Sequence, residues 1–141
     1  SEKEWAQAKV DQVLAKPVTK RSSAEESHRR WNQHVIDRFK EQQANPKVDM
    51  ELHVLRLGDV AVATNPFELF LDFGLRMKTQ SKAQQTFIVQ LTGSAGWYLP
   101  TIKAAAGGGY SAIIQSSLVG PEGGDVLVNR TVELINAMWA K

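Results

Sequence analysis

The sequence predicts a mixed α/β (or α+β) fold, a small mixed sheet with helices packed on it and further helices preceding it. Three observations point there. All ten glycines fall after residue 57, so the N-terminal third reads as helices and linkers and the remainder as strands, tight loops and helices. Beyond residue 50, short β-rich runs alternate with stretches of helical spacing. The chain has 141 residues, 43% apolar and 23% charged. A chain of that size buries roughly 70% of its extended surface, as one ordinary domain does. A helical segment over 1–49 and an α/β portion over 50–141 are expected.

Residues 2–16, "EKEWAQAKVDQVLAK", place Trp5, Val10, Val13 and Leu14 at loosely helical spacing, and Pro17 ends the run. In "SSAEESHRRWNQHVIDRFKEQQ" (22–43), Ser22 and Ser23 are each followed three residues later by Glu, a capping-box signature. Trp31, Val35 and Phe39 form an apolar stripe with Ile36 beside it, and Asn45-Pro46 closes the helix. "MELHVLRLGDVAVAT" (50–64) reads as a hairpin turning at Gly58-Asp59. Leu69, Phe70, Phe73, Leu75 and Met77 suit a helix packed on the sheet, and "TFIVQLTG" (86–93) supplies a further strand. Pro121 opens a last helix, with Leu127, Thr131, Leu134 and Met138 at helical spacing.

Charge excludes more than it suggests. Residues 1–50 carry ten Lys/Arg against eight Asp/Glu, and residues 51–141 carry seven of each. No block of like charges marks a nucleic-acid surface. Cysteine is absent, which removes disulfides and thiolate metal sites. No run of 18 apolar residues predicts a membrane span, and no N-terminal apolar region predicts a signal peptide. The opening "SEKEWAQAK" lacks Met, as expected of a mature or processed product.

Candidate chemistry begins at Glu68 in "VATNPFELFLDFGLRMK" (62–78). With Asn65 as N-cap and Pro66 as the first helical residue, Glu68 is the third and caps the backbone. Local sequence alone favours that reading. A carboxylate at a strand-to-helix junction is also well placed for function, because ligands of α/β sheets gather outside the carboxyl ends of strands. The second candidate is "LTGSAGWYLPTIKAAAGGGYSA" (91–112), which holds both tyrosines, Tyr98 and Tyr110. Trp97 and Tyr98 read equally as loop anchors, with Gly107–Gly109 supplying positive φ. "AAAGGGY" matches neither phosphate-loop pattern, so a nucleotide site is rejected. His28 and His34 lie six apart on a polar helix and His53 in a strand, so no zinc motif assembles locally. Ser94 in "TGSAG" is out of register for a nucleophile elbow.

The segments "LHVLRLGDVAVATNPFELFLDFGLRMK", "TFIVQLTGSAGWYLPT" and "GGGYSA…SSLVGPEGGDVLV" together resemble the C-terminal part of the catalytic domain of neutral/alkaline ceramidases and their bacterial relatives. The resemblance spans residues 50–135. That family shows Pro-Gly-Glu after a strand, a Gly-Tyr segment, and a second tyrosine twelve residues on; here Tyr98 to Tyr110 is twelve. The resemblance implies that Glu68 and Tyr98 are zinc ligands and that Tyr110 orients a scissile amide. It further implies a zinc-dependent amidohydrolase acting on an N-acyl linkage, ceramide in the best-known members, with a secreted or periplasmic parent. Three departures stand out: Phe67 replaces the glycine of Pro-Gly-Glu, Gly93 and Ala95 replace the Asn and Tyr before Gly-Tyr, and Trp97 takes the glycine position itself. The family's zinc-binding histidines and serine region lie in an N-terminal half absent from this chain. The expectation is therefore a fragment that acts with an N-terminal partner chain or segment. The alternative is a non-catalytic binding or assembly module that keeps the scaffold.

Overall fold

The computed structural model describes residues 1–140, which divide between Val48 and Asp49 into two compact units. In the first, α1 (Glu2–Leu14) starts at a capping box between Ser1 and Glu4. Helix α2 (Ser23–Ala44) starts at a second box. The Ser22 hydroxyl accepts from the Glu25 N–H at 3.2 Å, and the Glu25 carboxylate accepts from the Ser22 N–H at 2.8 Å. Of the two serines, Ser22 is the cap because Ser23 is already the first helical residue. The helices bury Ala6, Val10, Asn32, Val35 and Ile36. Trp5, Leu14 and Phe39 stay substantially exposed, so the buried stripe is narrower than the apolar spacing predicts.

In the second unit, β1 (Val54–Leu57) and β2 (Val60–Thr64) form the expected antiparallel hairpin. Leu57 pairs with Val60, which leaves Gly58-Asp59 as a two-residue turn. A two-residue strand β3 (Glu68–Leu69) and helix α3 (Leu71–Gln80) then lead to β4 (Gln85–Val89), parallel to β2. The sheet order β1-β2-β4 is mixed, as predicted: a hairpin followed by a parallel crossover. A separate two-stranded sheet pairs β3 with β5 (Tyr98–Leu99), also parallel. Helices α4 (Ile102–Gly107) and α5 (Glu122–Ala137) complete the unit.

Alternation along the strands assigns the two faces of the larger sheet. Ala61, Ala63 and Thr86 are buried, and the two alanines pack with Ile135 of α5. On the other face Leu55, Val62 and Phe87 lie in one register row, with Val89 one step on. Leu55, Leu57, Phe87 and Val89 of that face are exposed. The larger core gathers Phe67, Leu69 and Leu99 with Phe73 and Met77 of α3 and Leu127 and Val128 of α5.

The helix expected from Leu69 onward begins two residues later. Glu68–Leu69 is occupied in a β ladder, Phe70 is the N-cap, and Phe73 and Met77 turn inward while Leu75 stays exposed. In α5 the buried face is Gly124, Leu127, Val128, Thr131 and Ile135, so Met138 falls outside the expected stripe.

Candidate functional site

The site forms where the two parallel strands stop. Thr64 of β2 pairs with Val89 of β4, and the residues immediately beyond them are Asn65 and Gln90. Asn65 is almost completely buried, at 1% exposure. Its side-chain oxygen accepts from the Phe67 N–H at 3.0 Å, its own N–H donates to the Val89 carbonyl at 2.9 Å, and its carbonyl accepts from the Thr92 N–H at 3.0 Å. Asn65 is therefore the first residue of an Asx turn and not a helix cap. This corrects the capping reading of Glu68: that residue sits in β3, and α3 has no side-chain cap at its N-terminus.

Beyond the turn the chain runs beside β5. Glu68 and Tyr98 are register partners, as are Leu69 and Leu99. The Gly96 N–H donates to Pro66 O at 2.8 Å, Glu68 N–H to Trp97 O at 2.8 Å, and Phe70 N–H to Leu99 O at 3.3 Å. Leu69 N–H donates to the Gln90 side-chain oxygen at 2.7 Å. Phe67 and Leu69 point into the core, so alternation turns Glu68 the opposite way, to a half-buried position.

The large residue before Glu68 is thereby accounted for. Phe67 is 1% exposed, and a Cβ built on Gly96 would stand 2.6 Å from its ring. The missing side chain at Gly96 makes room for the ring, which packs into the core. Trp97 takes a φ of 59°, in the left-handed region where glycine is at home. A tryptophan there stores local backbone strain.

All three residues singled out from the sequence converge. Glu68 faces Tyr98 across the short ladder, and its carboxylate, first through its pull on the hydroxyl proton and then with burial and its charge, raises the Tyr98 phenol above its ordinary value. The Tyr110 ring meets that of Tyr98 edge to face, with centroids 5.8 Å apart and planes at 77°. Tyr110 follows Gly108 and Gly109, both at positive φ, and is 67% exposed. The result is a carboxylate and a phenol facing each other, with a second phenol over the first.

The histidines lie elsewhere in the sequence. His28 and His34 lie on α2, and His53 precedes β1, where its ring nitrogen lies 2.7 Å from Glu51. Among the described residues no group of three or more His, Cys, Asp or Glu is arranged to hold a metal. None of their helices is long and apolar enough to cross a membrane. Gln90 was not indicated by any motif. The signal that finds it is positional: an amide residue one step beyond each of two β-rich runs, "VATN" and "FIVQ". No protein-family model, curated protein or solved structure matches the chain.

Proposed function

We propose that residues 50–141 form the C-terminal part of a zinc-dependent amidohydrolase that resembles the neutral/alkaline ceramidases. Its parent hydrolyses an N-acyl amide and is secreted or periplasmic, and this chain is inactive without an N-terminal partner chain or segment. The observation that carries the reading is the register pairing of Glu68 with Tyr98 under Tyr110, residues 30 and 42 positions apart in the chain or, for the tyrosines, twelve. The donor set fits zinc in part. A carboxylate and a phenol oxygen facing each other are two acceptable ligands, and a site of three or four ligands needs nitrogen donors from another segment. The uncovered apolar face of the β1-β2-β4 sheet, with Leu55, Leu57, Phe87 and Val89 exposed, supports incompleteness on separate grounds.

Glu68 and Tyr98 would hold the metal. When bound, zinc supplies a Lewis acid that polarises an amide carbonyl and lowers the pKa of a water toward about 7. The chain's own residues do the remainder: Glu68, the register partner of Tyr98, orients the phenol, and Tyr110 offers an O–H to the carbonyl oxygen of an amide lying against the two rings. A non-catalytic binding or assembly module is the second reading, favoured by Trp97 at the family's glycine position.

The test is to supply a histidine-bearing N-terminal polypeptide of a ceramidase-like hydrolase in trans and to follow Zn²⁺ binding by calorimetry and cleavage of a fluorescent ceramide. Binding and hydrolysis are expected only in the mixture, both weakened by Glu68→Ala, with hydrolysis lost in Tyr98→Phe. Tight zinc binding by this chain alone, insensitive to Glu68→Ala, overturns the proposal. Hydrolysis unaffected by Tyr98→Phe does so too.

A further inference from the structure

Glu68 can act only if its carboxylate is held toward Tyr98, and the backbone of a two-residue strand is a weak support for that task. Successive N–H groups of a strand point to opposite edges. Those of Glu68 and Phe70 go to β5, onto Trp97 O and Leu99 O. Those of Phe67 and Leu69 point to the other edge, where β3 has no neighbouring strand among the described residues. There two side-chain amides take the place of a strand: Asn65 accepts from Phe67 N–H at 3.0 Å and Gln90 from Leu69 N–H at 2.7 Å.

These amides come from one register step beyond the last pair of the parallel ladder, Thr64 and Val89. The central sheet thus continues into β3 through side chains after its backbone pairing has ended. The two bonds on either side of Glu68 divide the control of its backbone. Trp97 O holds the peptide before Glu68 and so fixes its φ. Gln90 holds the peptide after it and so fixes its ψ.

We infer that Gln90, with Asn65 behind it, is a positioning residue that aims the Glu68 carboxylate at Tyr98 by clamping the Glu68–Leu69 peptide. The inference rests on the reading of Glu68 and Tyr98 as the working pair. Its test needs neither metal nor partner, so its failure leaves the zinc proposal standing and the failure of that proposal leaves this one testable. Asn65 is buried among backbone bonds, so its replacement disturbs the turn as a whole. Gln90 is exposed, so its replacement need not.

The chain has two tyrosines, so Tyr110→Phe leaves Tyr98 as a single spectroscopic reporter. The ¹³Cζ resonance of labelled tyrosine and the tyrosine Raman doublet both report whether a phenol donates a strong hydrogen bond. At neutral pH, Glu68→Gln in the Tyr110→Phe background is expected to move both signals. Gln90→Leu, which keeps the bulk and removes the acceptor, is expected to move them at least half as far with the circular dichroism spectrum unchanged. Gln90→Glu keeps an acceptor oxygen and is expected to restore the signal, but only while Glu68 is present; in Glu68→Gln/Gln90→Glu the signal stays displaced. Signals unmoved by Gln90→Leu overturn the inference, and so does restoration by Gln90→Glu without Glu68. Should Gln90→Leu not fold, Gln90→Met, which also removes the acceptor at similar bulk, takes its place with the same two outcomes.

Discussion

Replacing Phe67 by alanine separates two accounts of the residue beside the candidate carboxylate. If the ring stood over Glu68, its removal would be a surface change, worth about ±0.5 kcal/mol. The structure puts it in the core with Leu69, Leu99 and Phe73, at 1% exposure and against Gly96. Truncating such a ring costs about 3–5 kcal/mol. With a urea m-value of about 2 kcal/mol/M, the unfolding midpoint falls by about 1.5–2.5 M. The assay is urea denaturation followed by tryptophan fluorescence in a Trp5→Phe/Trp31→Phe background, where Trp97 and Trp139 both report on the unit after Val48. The cycle with Gly96→Ala adds a sign test. Alone, the added methyl lies 2.6 Å from the Phe67 ring and costs about 1–3 kcal/mol. In the Phe67→Ala background it enters the vacated space, so the cycle shows a favourable coupling of about 1 kcal/mol or more. A loss under about 1 kcal/mol for Phe67→Ala, or additivity in the cycle, refutes this placement of the ring.

Three further outcomes are expected. In the Tyr110→Phe protein, an ultraviolet titration finds Tyr98 ionising above 10.0, and Glu68→Gln brings it down. Since the folded value is the higher one, the stabilisation is full below the ordinary phenol range and is lost as pH rises through the folded value, so the wild-type melt alone weakens there. Glu25 is held down to about 2, chiefly by its hydrogen bond with Lys16 and then by Ser22, so its contribution is full above 4.5 and is lost as pH falls toward 2. Acid titration by circular dichroism shows that step, Glu25→Gln lacks it, and Ser22→Ala costs about 1 kcal/mol at neutral pH. Gly124→Ala on α5 destabilises by about 1 kcal/mol or more despite the better helix former, because its Cβ falls 2.1 Å from the buried Phe73 ring. Gly74→Ala on α3, where nothing lies within 4 Å of that position, stabilises by up to about 1 kcal/mol in the same chemical denaturation.

The mixed sheet was legible because its signals are local. Gly58-Asp59 between two β-rich runs marks the hairpin, and Ser22 three residues before Glu25 marks the start of α2. The pairing of β3 with β5 was not legible, since two residues carry no period and their partners lie thirty positions away. That pairing moved the start of α3 from Leu69 to Leu71. Of the site, the residue types at positions 68, 98 and 110 could be marked from the chain, whereas their convergence depends on long-range register. Gln90 stayed hidden because its bond is to one backbone N–H, and the only mark it leaves in the sequence is its place, an amide one step beyond a β-rich run.

The segment Asn65-Pro66-Phe67-Glu68 has the residues of a helix start, an N-cap type, then proline, then an acid at the third position. The fold declines it. Asn65 turns the chain instead, Glu68 enters a strand, and α3 begins at Leu71 after an N-cap, Phe70, that offers no side-chain bond, an omission that costs about 1 kcal/mol where it is measured. Among the described residues, Leu91 at a φ of 55° and Trp97 at 59° are the non-glycine residues in left-handed backbone space, and two residues after Trp97 the chain is again fully buried, at Leu99. Local preference is overruled at Asn65, Glu68 and Trp97, which lie in or beside the short ladder that pairs Glu68 with Tyr98. Sequences that specify a fold agree with it at most positions and depart from it chiefly where a site imposes its own geometry. A Glu68 that served as a cap would have left the local rules intact; its place in the ladder opposite Tyr98 is what its proposed role rests on.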